Sequence, residues 1–103
     1  MSARLLIIVP EGEVPRLRHS IDTIADKDWP DFIHVAPEPI SRHQPIAPRE
    51  VSQRIVDHAH AFGATETIVC KNICCDSSFL TQHRELSIRR SSMTLILRGL
   101  RDR

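Results

Sequence analysis

The chain has 103 residues, the size of one domain of about 100–150 residues, able to bury its own core without disulfides or a metal. Hydrophobic residues make up 41% and charged residues 26%, globular proportions that exclude a disordered chain, while 14 Lys+Arg against 13 Asp+Glu leave a formal charge of +1, too balanced for a protein that grips nucleic acid by its phosphates. No apolar run approaches the roughly 20 residues of a membrane span, and the opening Met1-Ser2-Ala3-Arg4 followed by Leu5 to Val9 is too short for a secretory leader, so the expectation is one cytoplasmic domain over residues 1–103.

In chain order, Leu5-Leu6-Ile7-Ile8-Val9, ended by Pro10 and Gly12, predicts a short strand buried on both faces, as in parallel sheets. Val14, Leu17, Ile21, Ile24 and Ala25 recur at helical spacing to about Lys27, with Pro15 in the first turn, where its missing N–H costs nothing. Trp29-Pro30 ends that helix, and Trp29 is expected to cap the core. Phe32-Ile33-His34-Val35-Ala36 predicts a second strand stopped by Pro37, and Pro37, Pro39, Pro45 and Pro48 make residues 37–48 an extended connector. Pro48 also opens a helix to Phe62 with Val51, Ile55, Ala59 and Phe62 on one face, and Gly63 is placed to end it in the left-handed conformation. Thr67 to Cys70 predicts a third strand.

Residues 77–92 read two ways. Ser77 or Ser78 caps a helix over Phe79 to Arg90, or the alternation from Glu85 to Arg90 makes a half-exposed strand that Ser91-Ser92 turns back. Under either reading Met93 to Leu97 is the closing strand. The helical reading completes a β-α-β-α-β-α-β chain, and we adopt it. The fold class is then α/β: a single three-layer domain with a mostly parallel four-stranded sheet, order 2-1-3-4, and helices on both faces.

In such a sheet ligands bind beyond the carboxyl ends of the strands, where the strand order reverses. That point lies between strands one and three and nominates Pro10, Glu11 and Gly12 against Cys70, Lys71 and Asn72. The only glycines are Gly12, Gly63 and Gly99, so a glycine loop cradling phosphates is absent. Three cysteines, Cys70, Cys74 and Cys75, are odd in number and clustered, which argues for reduced thiols. Their C-x3-C-C spacing lacks the second CxxC of a zinc site, though a vicinal pair can serve a thiol-based redox or metal sensor. Six histidines are scattered, with His34 read as structural, and Cys75, Asp76 and His83 form no nucleophile set that spacing alone can establish. Arg84, Arg89, Arg90, Arg98, Arg101 and Arg103 make the last quarter basic, either a solvated face or a surface for an acidic partner or RNA.

Three stretches resemble the universal stress protein family: Leu5 to Pro10, Phe32 to Pro37, and Phe62-Gly63-Ala64-Thr65-Glu66-Thr67-Ile68-Val69 followed by Glu85 to Arg90 and Met93 to Leu97. The resemblance implies that family's order of elements and a habit of dimerising through the closing strand, here through Met93, Leu95 and Leu97. Family members that bind ATP carry a G-x2-G-x9-G-[ST] loop after the penultimate strand, whereas residues 70–90 contain no glycine. Where an adenine-like ligand binds, the comparison nominates Val35 and Glu11. The expected function is a non-catalytic regulatory or protein-interaction domain of universal-stress type, homodimeric, without a cofactor and without ATP held by the usual loop. The alternatives are a nucleotide or small-metabolite domain using the strand-end crevice, and a thiol sensor.

Overall fold

The computed structural model describes residues 3–24, 32–40 and 45–101, and of Ile24 the backbone only. Four strands form one sheet: β1 Arg4–Val9, β2 Phe32–Pro37, β3 Glu66–Cys70 and β4 Ile88–Ser91, in the order β2-β1-β3-β4. Every pairing is parallel, with Ile7 opposite Val35 on one side and Ile68 on the other, and Val69 opposite Arg90. The helices are α1 Val14–Ile24, α2 Pro48–Phe62, α3 Ser77–Thr81 and α4 Met93–Arg101, with 3-10 turns at Glu11–Glu13 and Arg84–Leu86. Packing sorts the helices into two pairs, α1 with α4 and α2 with α3. The sheet therefore lies between two helical layers, the α/β architecture expected from the sequence.

The central strands explain the pattern. Leu5 to Val9 are all buried, as are Thr67 to Cys70, because β1 and β3 are covered on both faces and alternation has no wet side to show. Leu17 answers from α1, Val51, Ile55, Val56 and Ala59 from α2, and Ile96 and Leu100 from α4. α2 runs over the residues the sequence assigns to it. Gly63 adopts φ 73°, ψ 37°, its N–H donates to His60 O at 3.1 Å, and the next N–H, of Ala64, reaches back to Ala59 O at 2.9 Å. Those two bonds are the paired helix-ending pattern that favours glycine in the left-handed position. At the amino end of the sheet the Arg4 guanidinium lies between the rings of Phe32 and Phe62, at 4.5 and 4.6 Å.

The last third departs from the adopted reading in three places. The helix expected over Phe79 to Arg90 stops at Thr81, and its cap is Asp76, whose carboxylate accepts from Phe79 N–H at 3.2 Å, rather than Ser77 or Ser78. The chain then turns through Arg84–Leu86 and Ser87, which takes φ 47°, ψ 48°, and Ile88–Ser91 becomes the fourth strand. The physical reason is the open flank of β3: β4 satisfies its backbone, as where Lys71 N–H donates to Ser91 O at 2.9 Å, and a helix there would leave those groups unpaired. Consequently Met93 to Leu97 is a helix and not the closing strand. Ser92 starts it, accepting from Leu95 N–H on its hydroxyl at 3.2 Å and from Ile96 N–H on its carbonyl at 2.9 Å. The 2-1-3-4 order stands, with a different fourth strand. Trp29, Pro30 and the end of the first helix beyond Ile24 lie outside the described residues, as do positions 41–44 of the proline connector.

Candidate functional site

The reversal of strand order falls between β1 and β3, so the segments nominated from the sequence do share one end of the sheet. Their side chains divide sharply. Cys70 is 0% and Val35 4% exposed, and both belong to the core. Pro10 is half-buried, and Glu11, Gly12, Lys71 and Asn72 are exposed. Pro10 carbonyl accepts from Glu13 N–H at 2.9 Å, closing a 3-10 turn directly onto α1. The carbonyl of Val35 accepts from Arg18 Nη2 at 3.3 Å. Only Glu11, Gly12, Lys71 and Asn72 thus face solvent at this rim, and Glu11 and Glu13 already supply negative charge to the N-terminus of α1, which is where an incoming anion would otherwise be favoured.

The β3–α3 loop, residues 71–76, is held down from two elements. Arg90, on β4, donates through Nη2 to Lys71 O at 2.8 Å and Ile73 O at 2.5 Å, and through Nη1 to Ser77 Oγ at 3.0 Å. Ser52, on α2, accepts from Asp76 N–H at 2.7 Å and donates to Pro48 O at 3.0 Å. Sequence reasoning placed Arg90 in a basic face and gave Ser52 no role. A serine on the apolar side of α2, one residue after Val51, was the available signal for the second.

All three cysteines are free thiols, with Cys70 buried, Cys75 half-buried and Cys74 exposed. Burial pushes the Cys75 thiol up, outweighing the opposing pull of the Arg90 charge. A raised thiol is a poorer nucleophile at neutral pH, because the thiolate is the reactive form. Among the described residues no three His, Cys, Asp or Glu side chains are placed as a metal-ligand group. His83 instead joins His60 around one carboxylate oxygen of Glu85, at 3.5 and 3.2 Å, tying the turn before β4 to the last turn of α2. His34 stacks at 5.4 Å from both the His58 and Phe62 rings, and burial, then His58 and Arg18, hold its pKa below the ordinary imidazole value.

The helical form of Met93–Arg101 redistributes the three side chains nominated for dimerisation. A strand would have put Met93, Leu95 and Leu97 on one face. In α4, Met93 and Leu97 lie one turn apart and pack against the core, while Leu95 is 49% exposed. Among the described residues two clefts border α4. One, of about 110 Å³, is lined by Ile68, Arg89, Ser91, Leu95, Ile96, Gly99 and Leu100. The other, of about 240 Å³, opens toward α1. No family model, curated protein or solved structure matches the chain.

Proposed function

We propose that this domain is a non-catalytic regulatory module of universal-stress type that pairs with a second copy of itself along the β4–α4 side. The observation that carries the reading is Leu95, half exposed beside an unfilled cleft whose inner wall is Ile68, Ile96 and Leu100. A two-fold contact is self-complementary, so each Leu95 can seat in the other copy's cleft. Gly99 at the same wall has nothing within 4 Å of where a Cβ would stand, which leaves room for that approach. Burying the half of Leu95 that is still exposed contributes about 1 kcal/mol from each copy. Arg89, on the same margin, is paired with Glu66 and so brings no unneutralised charge to the contact.

The universal-stress likeness now rests on β1, β2, the Gly63-Ala64 turn and the strand order, since its closing strand is α4. The same comparison supports the absence of the usual ATP loop. The β3–α3 loop has no glycine to bring backbone N–H groups close to phosphate oxygens. Light scattering across a concentration series tests the dimer, with Leu95→Asp as the variant. We expect a dimer for the parent chain and a monomer of unchanged circular dichroism for Leu95→Asp. A monomeric parent, or a dimer that survives the substitution, refutes the reading.

A further inference from the structure

The arginines of this chain are not equivalent, and the structure sorts them. Arg4 donates to Phe62 O and sits between two rings, Arg18 donates to Val35 O, Arg54 pairs with Glu50, Arg89 with Glu66, and Arg90 holds the β3–α3 loop. The side chains of Arg84, Arg98 and Arg101 have no ion pair or hydrogen bond among the described residues. Two of those three, Arg98 and Arg101, line one cleft together with Arg16, Thr94 and Leu97. The cleft lies between α1 and α4, and among the described residues it shares no lining residue with the Leu95 cleft and is lined by no carboxylate.

We propose that this cleft binds a phosphate group carried by a small molecule. Cations in the last turn of α4 complement that helix's own dipole, which accounts for Arg98 and Arg101 as individuals. It does not account for Arg16, in the first turn of α1, where a cation meets the positive end of the dipole. Glu13, 3.2 Å from Arg16, offsets one charge and leaves an excess of two among the described residues at the cleft. Guanidinium groups on two helices present forked donors that match phosphate oxygens bidentately, and the Thr94 hydroxyl adds a donor beside them. At about 240 Å³ the cleft is smaller than the roughly 300–1,000 Å³ of pockets that enclose drug-sized ligands, so it takes a compact anionic group rather than a whole nucleotide. A polyanion needs a basic track along the surface. Here the chain is nearly neutral, and among the described C-terminal arginines outside the cleft Arg89 and Arg90 are occupied, which leaves Arg84 on the turn before β4. The site is independent of the proposed dimer.

The test is an amide NMR titration with sodium phosphate and with glycerol phosphate, each against sodium chloride at matched ionic strength. We expect saturable shifts confined to Arg16 and the Thr94–Arg101 segment. The double variant Arg98→Ala with Arg101→Ala should weaken binding by about tenfold or more, as expected when charge-assisted bonds are removed, while Arg84→Ala leaves it unchanged. Tighter saturation by the ester identifies a phosphorylated small molecule as the ligand. Saturation by inorganic phosphate alone overturns that assignment in favour of the free ion. Shifts no different from chloride, or an equal loss in Arg84→Ala, overturn the site. Tighter binding of a single-stranded RNA oligomer over the same residues also overturns it, as that would mark a polyanion surface.

Discussion

Replacing Arg90 by alanine tests whether one side chain holds the β3–α3 loop closed. Its guanidinium makes three hydrogen bonds, to Lys71 O, Ile73 O and Ser77 Oγ, and its Nε is buried without a partner. A hydrogen bond with a charged donor contributes about 1.5–3 kcal/mol when it is shielded. Only the bond to Ile73 O is partly buried, and the two exposed ones exchange readily with water, so they add little. Relief of the unpartnered Nε works in the opposite direction. The net expectation for Arg90→Ala is a loss of about 2 kcal/mol, which in a domain of this size lowers the melting temperature by roughly 8–16 °C. Arg90→Lys should recover little of it, since an ammonium on a flexible stem cannot span three acceptors as a planar fork does. The assay is urea denaturation together with native-state hydrogen exchange. The amides of residues 71–77 should lose protection selectively, while those of β1 and α2 change only in step with global stability. Unchanged protection of that loop in Arg90→Ala, or a loss spread evenly over the chain, refutes the clamp.

Two further perturbations follow from local geometry. Gly63→Ala should cost about 1–2 kcal/mol, the price of a left-handed backbone for an L-residue, because the added Cβ meets only ordinary contacts with Arg4 at 3.8 Å; urea midpoints measure it, and no change would show that the turn relaxes. Stability should fall as the pH drops below the ordinary imidazole value of 6.5, because His34 titrates lower in the folded chain and the unfolded chain therefore holds the extra proton across that interval. The contribution is fully present above 6.5 and lost as the pH falls through the depressed folded value. His34→Gln should flatten this slope between neutral and mildly acid pH, and an unchanged slope in the variant would clear His34 of the effect.

The first two-thirds of the fold was legible because its signals are local and agree with one another. Five successive apolar residues at Leu5 admit only a strand covered on both faces, and Pro48 with Gly63 brackets α2 from both ends. The last third was not, because two competing patterns overlap there. Phe79, His83 and Leu86 offer a helical face, whereas the structure uses Leu86 as a buried anchor and turns the chain at Ser87 into β4. No glycine marks that left-handed position, so the break carries no ordinary signal. Met93-Thr94-Leu95-Ile96-Leu97 reads as a strand only when taken alone. Extended to Leu100, its buried and half-buried positions at 93, 96, 97 and 100 keep helical spacing, and Ser92 stands where a cap belongs. Topology brings the nominated strand-end segments to one end of the sheet, but burial is a property of packing, so Cys70 and Val35 could be recognised as core only once both helical layers were in place.

That single change, from strand to helix at Met93, is what gives the molecule its two distinctive surfaces. A strand would have placed Leu95 with Met93 and Leu97 on one face of the sheet and sent Arg98 off its end. As a helix, α4 turns Ile96 and Leu100 inward and keeps Met93 and Leu97 against the core. What remains is divided between its two flanks: Leu95 and Gly99 toward the β4 margin, Thr94, Arg98 and Arg101 toward α1. Neither flank is filled by the described residues. One is apolar and adjoins an edge strand; the other is basic and draws Arg16 from a separate helix. Apolar and charged groups thus segregate across nine residues that carry no carboxylate, and such segregation would let one short helix carry both the proposed protein contact and the proposed anion contact without either displacing the other.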